Sequence, residues 1–287
     1  MHTMRSVAPL HVDFWILIGV CALTWLLSLV TREHSWVDRI WSIVPVVYIW
    51  VFASAAGLGD ARLVLMAVLA TLWGIRLTFN FARKGGYARG GEDYRWEYLR
   101  GRMPRPLFEV FNLLFIVCYQ NVLLLLIALP AYTAWRNPRP LTVLDGVLAA
   151  AFLAALVGET IADQQQWNFQ QWKKAERAAG REPGIRFVRT GLFRVSRHPN
   201  FFFEQTQWWL LFFIGCVAAG SLWQWTVVGP ALLIALFIGS TRFTEQISRK
   251  RYPEYADYQA RVSALVPWFP RRGSRPAGPA GPREDLA

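Results

Sequence analysis

The segment Gly191-Leu-Phe-Arg-Val-Ser-Arg-His-Pro-Asn-Phe-Phe-Phe-Glu204 gathers groups able to hold an anion and to hydrogen-bond a ligand. Arg194, Arg197 and His198 form a basic loop, and Pro199 leads it into an apolar stretch that carries Asn200 and Glu204 at its start. A carboxylate in an apolar span is costly and as a rule has a partner and a task. Asn200 follows a proline and can equally cap the helix that begins there. A phosphate at that helix start would gain from free backbone N–H groups and from the helix dipole, with Arg194, Arg197 and His198 as countercharge. This is the chemistry of a cofactor site where a transmembrane helix meets water.

Other ionisable groups lie within apolar stretches. Arg76, in Trp73-Gly-Ile-Arg76, either snorkels to the headgroups or binds a phosphate or carboxylate from a buried position. Glu159 and Asp163 are four apart, so they project from one helix face, followed by Gln164, Gln165 and Gln166. Arg242 and Glu245 stand near the end of the last apolar stretch, suited to a salt bridge or to a ligand contact. Tyr119-Gln120-Asn121 places polar groups mid-span, where they line a cavity or join helices, and Asp38 is similarly open. Cys21, Cys118 and Cys216 all sit in apolar stretches without metal-ligand spacing and read as packing residues, so no metal is expected.

The elements that must carry these groups follow from composition. The 287 residues are 54% hydrophobic and 15% aromatic but only 17% charged, where a soluble chain carries about 25%. The pattern predicts an all-α, polytopic membrane helix bundle with seven transmembrane helices over 14–31, 37–57, 62–82, 107–135, 141–168, 200–220 and 223–247. With the N-terminus outside, twenty-six Lys and Arg fall in inside segments and four in outside ones, which puts the C-terminus in the cytoplasm. The net charge of +12 therefore faces anionic lipid rather than nucleic acid, for which no motif exists. Abundant Arg and Ala point to a GC-rich bacterial source and an inner membrane. Residues 1–270 read as one membrane domain, and 271–287 as a disordered basic Pro/Gly-rich tail. Before the tail, 252–262 predicts a short helix with Pro253 in its first turn and Tyr255, Tyr258 and Val262 on one face. By this topology Arg76, Glu159, Asp163, Asn200, Glu204, Arg242 and Glu245 line a polar chamber that opens to the cytoplasm.

Gly191–Glu204 resembles the signature of the steroid 5-alpha-reductase C-terminal domain, in its bacterial branch. Trp73-Gly-Ile-Arg76, Gly91-Glu-Asp-Tyr-Arg-Trp96, Ala162-Asp163-Gln164 and Tyr255-x-x-Tyr258-x-x-Arg261-x-Ser-Ala-Leu-Val-Pro267 support the resemblance in the same order along the chain. It implies a membrane enzyme that binds NADPH from the cytoplasmic side and reduces an enone C=C bond of a steroid-like or isoprenoid lipid. Carried over, Asn200 and Glu204 hold the nicotinamide amide, and Glu159 and Asp163 the adenosine side. Arg76 and Arg186 meet phosphates, with Arg194, Arg197, His198 and Glu245 as further cofactor contacts. The steroid reductases carry Tyr where this chain has Trp73, and an indole cannot act as the acid. The proton donor is then sought among Tyr119, Tyr94 and Asp38, in that order. Isoprenylcysteine carboxyl methyltransferases and phospholipid methyltransferases share the Arg-His-Pro loop and bind S-adenosylmethionine, which makes them the rival reading. A non-catalytic lipid-binding protein is a third. It would use the buried charges to join helices, although such contacts yield only about 0.6 kcal/mol each.

Overall fold

A computed structural model describes residues 8–271; the tail from 272 onward lies outside the described residues. Twelve α-helices are named here: α1 Ala8–Thr31, α2 Trp36–Ile40, α3 Val44–Ala55, α4 Ala61–Arg83, α5 Tyr94–Arg100 and α6 Arg105–Phe111. They continue with α7 Gln120–Ala128, α8 Pro130–Arg136, α9 Val143–Ala178, α10 Pro199–Ala219, α11 Val228–Arg251 and α12 Tyr255–Arg261. A π-helical segment, Asn112–Tyr119, joins α6 to α7.

Among the described residues, five helical stretches are long and apolar enough to cross a membrane: Pro9–Thr31, Ala61–Arg83, Arg105–Arg136, Val143–Ala178 and Trp225–Arg251. The chain is thus a multi-pass membrane protein. Two of the seven expected spans differ from expectation. The stretch 37–57 is cut into α2 and the 12-residue α3, with Pro45 in the first turn of α3, a place where its missing N–H costs nothing. The stretch 200–220 is a 21-residue helix, but Asn200, Glu204, Gln205 and Gln207 reduce its apolar content.

By contact, the chain divides into two units: Met1–Thr160 with Phe203–Gly239, and Ile161–Phe202 with Ser240–Ala287. In the first unit, α1 turns Asp13, Leu17, Thr24 and Ser28 inward while Phe14, Trp15, Leu23, Leu26 and Val30 stay exposed. Polar groups inside and apolar groups outside is what a lipid-facing helix requires. The turn that leads into α3 lies close against α4, where a Cβ on Gly74 would come within 2.5 Å of the Ser42 carbonyl oxygen. Only a residue this small lets the two backbones approach so closely. Asp60 caps α4 by accepting from the N–H groups of Arg62 and Leu63, at 3.1 and 3.2 Å. Arg62 is itself buried in a bidentate pair with Asp145, at 2.7 and 2.8 Å.

The second unit is built on the last part of α9, the loop after it, the end of α11 and α12. Ala162, Val188 and Phe193 form its apolar centre, with Phe169 and Leu192 packed around them. Ser196 pairs with Ser263 as an isolated parallel bridge, and Trp268 donates its N–H to the Val195 carbonyl at 2.9 Å.

Candidate functional site

The Gly191 turn, in the second unit, has a local cause. Its φ of +60° is a left-handed conformation that glycine adopts without strain. A Cβ there would meet the Gln165 side chain at 2.5 Å, and Gln165 Oε1 accepts from the Leu192 N–H at 2.9 Å. A missing side chain and one amide thus pin the basic loop to α9. Asp163, two residues before Gln165, is buried at 3% exposure.

From that turn the chain passes Arg194, which is exposed, and reaches Arg197. Glu245 is the hub to which the rest of the loop is tied. It accepts from Arg197 Nε and Nη2 at 2.6 and 3.0 Å, from Gln259 Nε2 at 2.7 Å and from the Tyr255 hydroxyl at 3.4 Å. His198 Nε2 lies 3.1 Å from the same carboxylate. Arg197 Nη1 also donates to the carbonyls of Gln259 and Val262. Tyr255 and Tyr258 of α12 have ring centroids 5.6 Å apart, but the helix ends at Arg261, so Val262 follows it in extended backbone rather than on the predicted helical face. Burial first, and then the Glu245 charge, push the Tyr255 phenol far above its ordinary range. Burial likewise raises the Tyr258 phenol, with Arg197 opposing and Glu245 adding to the shift. Both phenols therefore stay protonated and able to donate. The salt bridge of Glu245 is made with Arg197, with His198 beside it, while Arg242 is exposed. Asn200 sits in the first turn of α10, partly buried.

A pocket of about 260 Å³ in the same unit is lined by Lys173, Arg177, Glu182, Pro183, Arg186, Arg251 and Tyr252. Four cations face it against a single acid. Lys173 is 7% exposed; its ammonium donates to the Arg186 carbonyl at 2.8 Å and lies 5.6 Å from the centres of the Phe169 and Tyr252 rings. The Arg186 side chain is half exposed, with Glu254 3.9 Å away. Such a donor set suits a phosphate, which needs several N–H donors and two or more positive charges.

In the first unit, Arg76 of α4 is ion-paired with Glu159 of α9, and Gln207 of α10 donates to the same carboxylate at 2.7 Å. Trp73, one turn before Arg76, packs edge-on against Trp208, with ring centroids 4.8 Å apart and both rings buried. Glu204 is buried at 7% exposure on α10. The three residues considered as proton donors stand in different settings. Tyr119 ends the π-helical segment, its ring stacked on Phe115 at 5.3 Å. Asp38 is half-buried on α2 and accepts from Trp96 Nε1 at 3.0 Å, and burial raises its carboxyl to about 6. The Tyr94 side chain lies outside the described residues.

The Gly91–Trp96 motif acts as a clasp. Glu92 takes the His34 N–H at 2.7 Å and the His34 ring at 3.1 Å, and Asp93 receives Arg95 while its own N–H meets Ser35 Oγ at 2.9 Å. Although burial opposes ionisation of Glu92, its bonds to His34 and Arg100 hold it below the usual carboxylate range. Sequence reading passed over several buried polar groups: Asp13, Gln207, Lys173 and the Arg62–Asp145 pair. For Asp13 and Lys173 the signal was available, since each is a charged residue on an amphipathic face that turns inward.

The chain matches, over residues 24–262, the family described as protein of unknown function (DUF1295). It is 38% identical over 258 residues to an uncharacterized protein of the fission yeast Schizosaccharomyces pombe, covering 85% of this chain and 75% of the relative. No solved structure matches it.

Proposed function

We propose a function for this chain, which belongs to the DUF1295 family of proteins of unknown function: a membrane-embedded, NADPH-dependent reductase of an enone-type C=C bond in a steroid-like or isoprenoid lipid. The reading rests on the resemblance of Gly191–Glu204 and its companion motifs to the steroid 5-alpha-reductases. In this proposal the chain crosses the membrane seven times, α3 and α10 included. The N-terminus is outside, as the distribution of Lys and Arg favours.

The observation that carries the cofactor assignment is the basic pocket of Lys173, Arg177, Arg186 and Arg251. NADPH bears three phosphate groups, and S-adenosylmethionine bears none. Four cations around about 260 Å³ with one acid are of use to the first and a burden to the second. When bound, NADPH supplies the hydride for the C=C bond. Arg186 and its neighbours hold phosphate, while Glu245 braces the loop from Arg197 to Asn200 so that Asn200 presents its amide. Tyr119 is the proposed proton donor, because a phenol is protonated at neutral pH and Trp73 has no acidic proton to give.

The test is a thermal-shift comparison of the purified full chain in detergent with NADPH, NADH and S-adenosylmethionine. A ligand present at 100 times its Kd adds about 2.7 kcal/mol. The expected result is stabilisation by NADPH, weakened at least tenfold in concentration dependence by Arg186→Gln with Arg251→Gln. Stabilisation by S-adenosylmethionine alone would overturn the reductase reading in favour of the methyltransferase one. Indifference to all three would overturn the reductase reading and favour the non-catalytic one.

A further inference from the structure

In the second unit, the chain after α12 runs beside the loop that leads into α10. Arg197 and His198 donate their N–H groups to the Ser263 and Ala264 carbonyls at 2.8 and 3.1 Å, and Ser196 Oγ donates to the Leu265 carbonyl at 2.6 Å. The Arg271 N–H then closes the segment on the Arg261 carbonyl at 2.9 Å. A cavity of about 490 Å³ lies along this seam, and Arg197, Arg261, Arg271, Val266, Trp268 and Phe269 are among its lining residues. Backbone hydrogen bonds hold its walls, so the cavity is preformed.

The lining carries one sign of charge. Among the described residues no carboxylate lines it. Arg197 is neutralised by Glu245, whereas Arg261 and Arg271 are exposed and make no ion pair among the described residues. Beside them Val266, Trp268 and Phe269 are exposed at 58%, 70% and 85%. The bonds on either side of these three, at Leu265 and Arg271, keep the apolar patch on the surface. Exposed apolar groups rimmed by polar ones mark a contact site.

The cavity is also tied to the end of a membrane-crossing stretch. Arg197 and Gln259, both lining residues, bond to Glu245 within Trp225–Arg251, and that stretch ends in Arg249, Lys250 and Arg251. Tryptophan and arginine are the groups that a bilayer interface favours at such a level. We propose that this cavity binds the phosphate headgroup of an anionic phospholipid, with Arg261 and Arg271 on the phosphate and Val266, Trp268 and Phe269 against the acyl chains. A guanidinium presents paired N–H donors that match phosphate oxygens. Inorganic phosphate shares that chemistry but leaves the apolar patch in water. A zwitterionic lipid covers the patch but brings no net charge to the arginines. The cavity shares no lining residue with the basic pocket assigned to NADPH, so the inference stands apart from that assignment.

The experiment titrates the full chain in dodecyl maltoside with dioleoyl phosphatidylglycerol or dioleoyl phosphatidylcholine and follows bound lipid by native mass spectrometry. The first phosphatidylglycerol is expected to bind more tightly than phosphatidylcholine by about tenfold or more, as two interfacial arginines imply. Arg261→Gln with Arg271→Gln should erase that preference and, because both side chains are exposed, leave the unfolding midpoint unchanged. Arg89→Gln with Arg105→Gln removes the same charge from exposed positions elsewhere and should leave the preference intact. Trp268→Ala with Phe269→Ala should weaken both lipids several-fold. Equal binding of the two lipids overturns the proposal, as does a preference that survives the loss of Arg261 and Arg271 or falls equally in the control pair. Displacement of phosphatidylglycerol by inorganic phosphate or by NADPH overturns it too, since the cavity would then serve a soluble phosphate. A lowered midpoint in the Arg261 and Arg271 variant has the same force, because it would give those arginines a structural partner.

Discussion

Replacing Glu245 by glutamine preserves its size and removes the charge that the second unit is organised around. The side chains of Arg197 and Glu245 are 10% and 9% exposed, so solvent does little to screen them. In the variant, the Arg197 guanidinium stays buried without its countercharge, and His198 loses its carboxylate neighbour. Breaking a buried pair from one side costs about 3–5 kcal/mol. Arg197 keeps its bonds to the Gln259 and Val262 carbonyls, which places the expected cost near the lower end, about 3 kcal/mol. The double variant Arg197→Met with Glu245→Gln removes both charges and should cost less than the two single changes together, by about 2 kcal/mol. Denaturant unfolding in mild detergent, followed by the fluorescence of the 15 tryptophans, measures all three variants against the wild type. A single-variant cost below about 1 kcal/mol, or strict additivity, would falsify the claim that this pair holds the loop.

Other consequences can be checked in the same preparation. Gly191→Ala forces a side chain into a left-handed backbone and against Gln165, and should cost about 2–4 kcal/mol in unfolding experiments. Asp38 gives a pH dependence of one sign: its folded pKa, about 6, lies above its ordinary 3.8, so its favourable contribution is present at low pH and lost as pH rises through 6. Asp38→Asn should therefore stabilise the chain at pH 7.5, by at most about 3 kcal/mol, and have little effect at pH 4. Glu92 and Glu33 give the opposite sign, because both sit below their ordinary 4.5, Glu33 through the Gly90 N–H and Arg39. Their contribution is present at neutral pH and lost as pH falls below 4.5, which hydrogen exchange should register as weakening protection around 88–93. Arg62→Met should cost about 3–5 kcal/mol by stranding the buried Asp145, and Arg62→Met with Asp145→Leu should recover most of it.

Much of the architecture was legible because hydrocarbon imposes simple rules. Long apolar runs separated by basic loops locate helices, and Pro253 followed by Tyr255 and Tyr258 located α12 to within a few residues. The special character of Gly191–Glu204 was equally visible, since arginines, a proline and a glutamate at the edge of an apolar run are costly without purpose. The cut at Pro45 was harder to see, because an apolar run gives no sign of where a helix restarts.

Composition and order along the chain thus determined by themselves that this is a helical membrane protein with ionisable groups held inside its helices. Which of those groups belong together was decided only in three dimensions. Glu245, read from the chain only as suited to a salt bridge or a ligand contact, lies 2.6 Å from Arg197, a partner that its sequence neighbourhood did not name. Arg76 could have snorkelled to the surface, and Glu159 drew it inward. Lys173 and Arg251, far apart in the chain, line one pocket. The reason is physical: burial cost is written in each residue's own chemistry, whereas pairing energy depends on distance, and distance between helices is set by packing.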